Sequence, residues 1–106
     1  MNEVREKAGL GPLERGHRVS IREEGHAWRM ARKGRLWHAD LPRLLDGVAW
    51  ERAGEVVGAA TGPHRLVRAW LRSPEHRAVI FGPYRRLGIG AHRSGGFLWS
   101  ALVVWR

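Results

Sequence analysis

The chain has 106 residues, a formal net charge of +9 and an apolar content of 43%, which predicts one folded domain over residues 1–106 and excludes a disordered chain. It contains no cysteine, so a disulfide scaffold and a thiolate metal site are both excluded. The longest nearly apolar run, Phe97 to Trp105, is about half the ~20 residues of a membrane-spanning helix and reads as a buried strand; no apolar stretch after Met1 has the form of a signal peptide.

Residues 2–8 predict a short helix, stopped by Gly9 and by Gly11-Pro12. A longer helix is expected from about His17 to Lys33. Val19, Glu23, His26, Ala27, Met30 and Gly34 fall at i, i+4, i+7, i+8, i+11 and i+15, one face of a helical period. Ile21 and Trp28 form a second apolar line, and Gly34 ends the helix. After Leu36-Trp37-His38 the chain is irregular, with a turn of helix at Pro42 to Leu45. A strand is placed within Val48 to Gly58, centred on Glu55-Val56-Val57. Thr61-Gly62-Pro63 opens another helix, carried by Leu66, Val67, Trp70 and Leu71. Ser73-Pro74-Glu75 opens a third: serine caps, proline takes the first helical position and glutamate suits the positive end of the dipole. Tyr84–Arg93 and Phe97–Arg106 read as two strands joined by a hairpin at Ser94-Gly95-Gly96. The six tryptophans, Trp28, Trp37, Trp50, Trp70, Trp99 and Trp105, are expected to supply much of the core. Helices that precede and interrupt a final antiparallel hairpin argue for an α+β layered fold.

Seventeen arginines against two lysines favour anionic partners: nucleic acid, phospholipid headgroups or acidic envelope polymers. The arginines are scattered along the chain, and arginine, glycine, alanine, proline and valine dominate together. That pattern reads as a GC-rich coding sequence, and nucleic-acid binding is not expected.

Asn2, Arg5, Gly9-Leu10 and Pro12-Leu13, then Val19, His26-Ala27 and Met30-Ala31, then Gly34 and His38, stand in a fixed order. Gly54-Glu55-Val56-Val57-Gly58, Trp70, Ser73-Pro74, His76-Arg77, Gly88-Ile89-Gly90 and Phe97-Leu98-Trp99 complete it. Each fragment is weak alone; together they resemble the CAP superfamily, the SCP-like domain of cysteine-rich secretory proteins, antigen 5 and pathogenesis-related proteins, in its short bacterial form. The resemblance implies a three-layer α-β-α sandwich around a small antiparallel sheet. It also implies an extracellular or cell-envelope location and a cleft of two histidines and two acids. His38 matches the first histidine, Glu55 the first acid and His76 the second histidine. The second acid would lie three residues after the helix tryptophan, where this chain has Ser73.

Two imidazoles and a carboxylate can ligate a divalent ion such as zinc, here weakly and through His38 and His76, or can work as acid and base without metal. Glu23, on an apolar stripe, needs a partner: an arginine salt bridge, or a place in the cleft as the missing acid. His26 reads as a satisfied core histidine. Ser73 reads as a helix cap, since no Gly-x-Ser-x-Gly elbow surrounds it. Gly88-Ile89-Gly90 and Ser94-Gly95-Gly96 precede no helix and are not phosphate loops. His17, His64 and His92 are expected to be solvated. The functional expectation is a binding module for a small-molecule, lipid or envelope ligand. The alternatives are a metal-assisted hydrolase using the same cleft and, third, a basic nucleic-acid-binding protein.

Overall fold

A computed structural model covers residues 1–106. In chain order its elements are α1 (Asn2–Lys7), β1 (Glu14–Arg15), α2 (His17–Lys33), α3 (Leu41–Leu44), β2 (Ala53–Ala60), α4 (Pro63–Leu71), α5 (Pro74–Ile80), β3 (Arg86–Ser94) and β4 (Phe97–Trp105). The strand order is β1-β3-β4-β2, with helices packed on both faces of the sheet, as the α+β reading expects. The sheet is not wholly antiparallel. Glu14 and Arg15 pair in parallel with Arg86 and Leu87, and a two-residue strand has no periodicity by which a sequence could announce it.

The β3–β4 hairpin closes on Gly95 and Gly96, at φ 60° and 81°, with Ser94 paired to Phe97. Positive φ at both central residues is what a type I′ turn demands, and glycine meets it without strain. Gly34, at φ 65°, ends α2 by the left-handed route. Two strands differ from their expected bounds. β2 is centred as expected but runs past Gly58 to Ala60, paired from Ala53–Trp105 to Ala60–Leu98. β3 starts at Arg86, because the Tyr84 carbonyl is turned to the buried Arg5 guanidinium at 3.4 Å. Arg5 also donates to the carbonyls of Gly11, Ile80 and Gly82 at 2.8–2.9 Å, and Asn2 exchanges two hydrogen bonds with the backbone of Leu13. The N-terminal segment is thereby tied to the end of α5.

Alternation along β2 separates two environments. Gly54, Val56 and Gly58 face α4 and α5: Val79 and Tyr84 lie over Gly54, and Leu66 and Trp70 over Gly58. Glu55 is out of phase with them. It lies with its cross-strand partner Val103 on the face that packs against Val19 of α2 and Leu44 and Leu45. Only Trp70 and Trp105 among the six tryptophans are buried; Trp28 and Trp50 are exposed. The Ile21–Trp28 line lies on the solvent side of α2, because the helix buries Val19, Glu23, His26, Ala27 and Met30 instead. Arg32 covers the Trp28 ring at 4.9 Å.

Candidate functional site

His38 lies in the irregular segment between α2 and α3, which is held at both ends. His26, buried in α2 as expected of a core histidine, bonds the Trp37 carbonyl through Nε2 at 2.6 Å and meets the Trp37 ring edge-on. Asp40 caps α3 by accepting the Arg43 N–H at 3.2 Å. Between these anchors, Glu55 Oε1 accepts the Ala39 N–H at 2.8 Å and pairs with His38 Nδ1 at 2.9 Å. With Glu55 Oε1 as acceptor, Nδ1 carries the shared proton and Nε2 is the nitrogen left unengaged. The His38 side chain is 62% exposed and that of Glu55 only 1%. A buried carboxylate thus orients an imidazole that faces solvent.

Glu23 lies beneath this pair. It is fully buried, and neither of its oxygens nor Glu55 Oε2 has a hydrogen-bond partner when both groups are counted as carboxylates. The arginine salt bridge considered for Glu23 does not form; the His38–Glu55 pair is the one side-chain ion pair within 4 Å in the chain. Glu23 lies within reach of the Glu55 carboxyl instead. Desolvation pushes its pKa up to about 10, reinforced by hydrogen bonding to Glu55 and repulsion from it, and opposed by the charge of Arg29. α2 reaches this depth because β3 is glycine at two contacts. A Cβ on Gly88 would meet Val19, and one on Gly90 would lie on the backbone of Glu23 and Glu24. Gly88-Ile89-Gly90 is therefore a seat for a helix, consistent with its not being a phosphate loop.

Beside the Trp37–Asp40 segment runs an open groove of about 970 Å³. Ile21, Trp37 and Leu44 give it apolar walls, and its charge comes from Arg22, Arg29 and Arg43 set against Asp40 and Asp46. Sequence reasoning missed this groove, since nothing in the irregular stretch after α2 says that Trp37 to Asp46 folds back beside the helix.

The sequence pattern of the Cysteine-rich secretory protein (CAP) family matches residues 1–103. The chain belongs to the CAP family. No protein of curated function matches it. Among solved structures it is similar to an outer surface protein of Borrelia burgdorferi (TM-score 0.87, 17% identity, covering 99% of this chain and 85% of that one). It is similar too to an extracellular SCP-domain protein of Bacillus anthracis (TM-score 0.85, 21% identity, 99% of this chain and 37% of that one). A cysteine-rich secretory protein of Staphylococcus aureus gives a TM-score of 0.81 at 21% identity, over 98% of this chain and 35% of that one. The chain thus spans little more than a third of the length of the last two. These likenesses establish the fold.

The rest of the CAP pattern is distributed differently. His76 is half-buried on α5, whose Val79 packs against Gly54 on the face of β2 opposite Glu55, and its Nδ1 is buried without a partner. Ser73 occupies the N-cap position of α5 as expected, but its side chain makes no capping bond. His17 and His64 are exposed and His92 is half-buried. The donor set does not fit a metal centre. His38 Nδ1 is engaged by Glu55, and no three His, Asp or Glu side chains form a group able to hold an ion.

Proposed function

We propose that this CAP domain is an exported binding module. Its recognition site would be the solvent-facing His38 imidazole, held by Glu55, together with the adjoining arginine-lined groove. The observation that carries the reading is the contrast within one ion pair: Glu55 is sealed and His38 is open. A buried group that fixes an exposed one is how a protein pre-organises a contact to a ligand. Groove chemistry narrows the ligand class. Arg22 is spent on the Leu44 and Asp46 carbonyls, but Arg29 and Arg43 stand beside Trp37 and Ile21, in excess over what Asp40 leaves after capping α3, and suit an anionic envelope component with an apolar portion. Export is supported by family membership and by the outer-surface and extracellular proteins among its structural neighbours. No helix is long and apolar enough to cross a membrane.

The test is a titration with short-chain phosphatidylglycerol and its phosphocholine counterpart, followed by amide and indole NMR shifts. The anionic probe should move Trp37 and Ala39 and bind several-fold more tightly. Arg29→Ala, Arg43→Ala and His38→Ala should each weaken it. Equal affinity for both probes would overturn the anionic reading. The same His38–Glu55 pair is also an acid–base dyad; turnover of an ester probe that His38→Ala abolishes would replace binding by hydrolysis.

A further inference from the structure

Three buried oxygens have no donor, both of Glu23 and Oε2 of Glu55, and the two carboxyl groups are within hydrogen-bonding reach of each other. A buried acceptor left unmatched is costly, and two adjacent buried carboxylates cannot both be ionised. A single proton resolves both problems, because a carboxylic acid donates where a carboxylate only accepts. Glu55 is the worse place for it. Its Oε1 already accepts from the Ala39 N–H and from His38 Nδ1, so Glu55 is used there as an acceptor. Glu23 has no such donors, and Arg29, the one cation that acts on it, makes no ion pair with it. We propose that Glu23 is the second acid of the cleft: a neutral carboxylic acid whose O–H donates to Glu55 Oε2 and so locks the Glu55 carboxylate onto His38 Nδ1.

The acid comes from α2 rather than from the end of α4, where the chain carries Ser73. The glycines at 88 and 90 hold α2 close against β3, so Glu23 cannot withdraw to solvent. Glu23 is accordingly a positioning residue that acts through Glu55. The inference rests on the reading of His38 and Glu55 as the recognition site, and its test is independent of any ligand.

Glu23→Gln retains an N–H donor for Glu55; Glu23→Leu removes it. Infrared spectra of the folded wild-type protein at pH 8 should contain the C=O band of a neutral carboxylic acid, absent from both variants. Nitrogen-15 NMR of the His38 ring should show the Nδ1–H tautomer in wild type and in Glu23→Gln. In Glu23→Leu the Nδ1 proton should exchange about tenfold faster, the equivalent of one lost hydrogen bond. If Glu23→Leu does not fold, loss of the band in Glu23→Gln with an unchanged His38 signal still supports the assignment. No neutral-acid band in wild type, or a band that persists in Glu23→Gln, would overturn it. So would a folded Glu23→Leu with wild-type His38 exchange. Failure of the anionic probe to bind leaves these readouts unaltered, so the two readings fail separately.

Discussion

The two faces of the sheet are built on different principles. Toward α4 and α5 the centre of the core is dry: Val56, Leu66, Trp70, Ile80, Tyr84 and Leu102 form one apolar cluster, and the buried Arg5 at its edge spends its guanidinium on backbone carbonyls. Trp70 is seated over Gly58 and its Nε1–H is spent on the Val57 carbonyl at 3.0 Å. Toward α2 the interior is partly polar. Ser20, Glu23, His26 and Glu55 are buried there, and α2 lies almost on the β3 backbone. Polar burial costs stability unless every group is matched, so the α2 face gives up stability that the other face supplies. The candidate site lies where the fold accepts that cost.

The largest expected effect falls on the dry face. Trp70→Ala should lower stability by about 3–5 kcal/mol, through lost burial, a cavity and the orphaned Val57 carbonyl. Denaturant titration measures the loss, and His38 ring signals in the folded fraction should stay those of wild type. A change in His38 would mean that the two faces are coupled. The opposite sign is expected for Glu23→Gln. The folded protein holds a proton on Glu23, with pKa about 10 against an ordinary 4.5, that the unfolded chain releases above pH 4.5. The contribution of this group is therefore full below pH 4.5 and is lost as pH rises toward 10. The loss is about 1.4 kcal/mol per pH unit, so Glu23→Gln should exceed wild type by about 3 kcal/mol at pH 7 and match it near pH 4. Parallel stability–pH curves would show that Glu23 is ionised in the fold.

What was legible in the sequence follows the same division. Helices with a strong apolar period, and glycines or prolines at their ends, were readable to within a residue: α2 ends at Gly34 and α4 begins at Pro63. Local chemistry suffices for such elements. The tryptophans misled, because aromatic content does not say which side of a helix is buried; the face through Glu23 and His26 won over the face through Trp28. At the site, His38 and Glu55 were found through the family pattern, since 17 residues of chain separate them and no period links them. Glu23 announced itself as a carboxylate on an apolar stripe. Its partner could not be read, because which strand residue lies opposite depends on how closely α2 approaches β3.

That approach is itself testable. Gly90→Ala places a methyl group against the backbone of Glu23 and Glu24. The helix must move, at a cost of about 1–3 kcal/mol. Unlike Trp70→Ala, this substitution should also perturb the His38 ring signals, since it displaces Glu23 from Glu55. Loss of stability with an unchanged site would separate helix seating from site geometry.

The smallest expected effect is that of zinc, and it bears most directly on whether the two faces share one site. Zinc takes three or four nitrogen, sulfur or oxygen donors at about 2.0–2.3 Å. On the α2 face His38 offers only Nε2, because Nδ1 is held by Glu55, whose Oε1 also accepts the Ala39 N–H. His76 belongs to α5, on the other face. A lone exposed imidazole binds zinc without distinguishing the fold from the unfolded chain, so linkage gives almost no stabilisation. Chelation or added zinc should therefore shift the thermal midpoint by less than about 1 °C, equivalent to about 0.2 kcal/mol. His38→Ala should respond no differently from wild type. A rise of several degrees, lost in both His38→Ala and His76→Ala, would mean that α5 and the His38 segment close on a common ion around the free edge of β2. The division between a dry face and a polar one would then give way to a single cleft that both faces build.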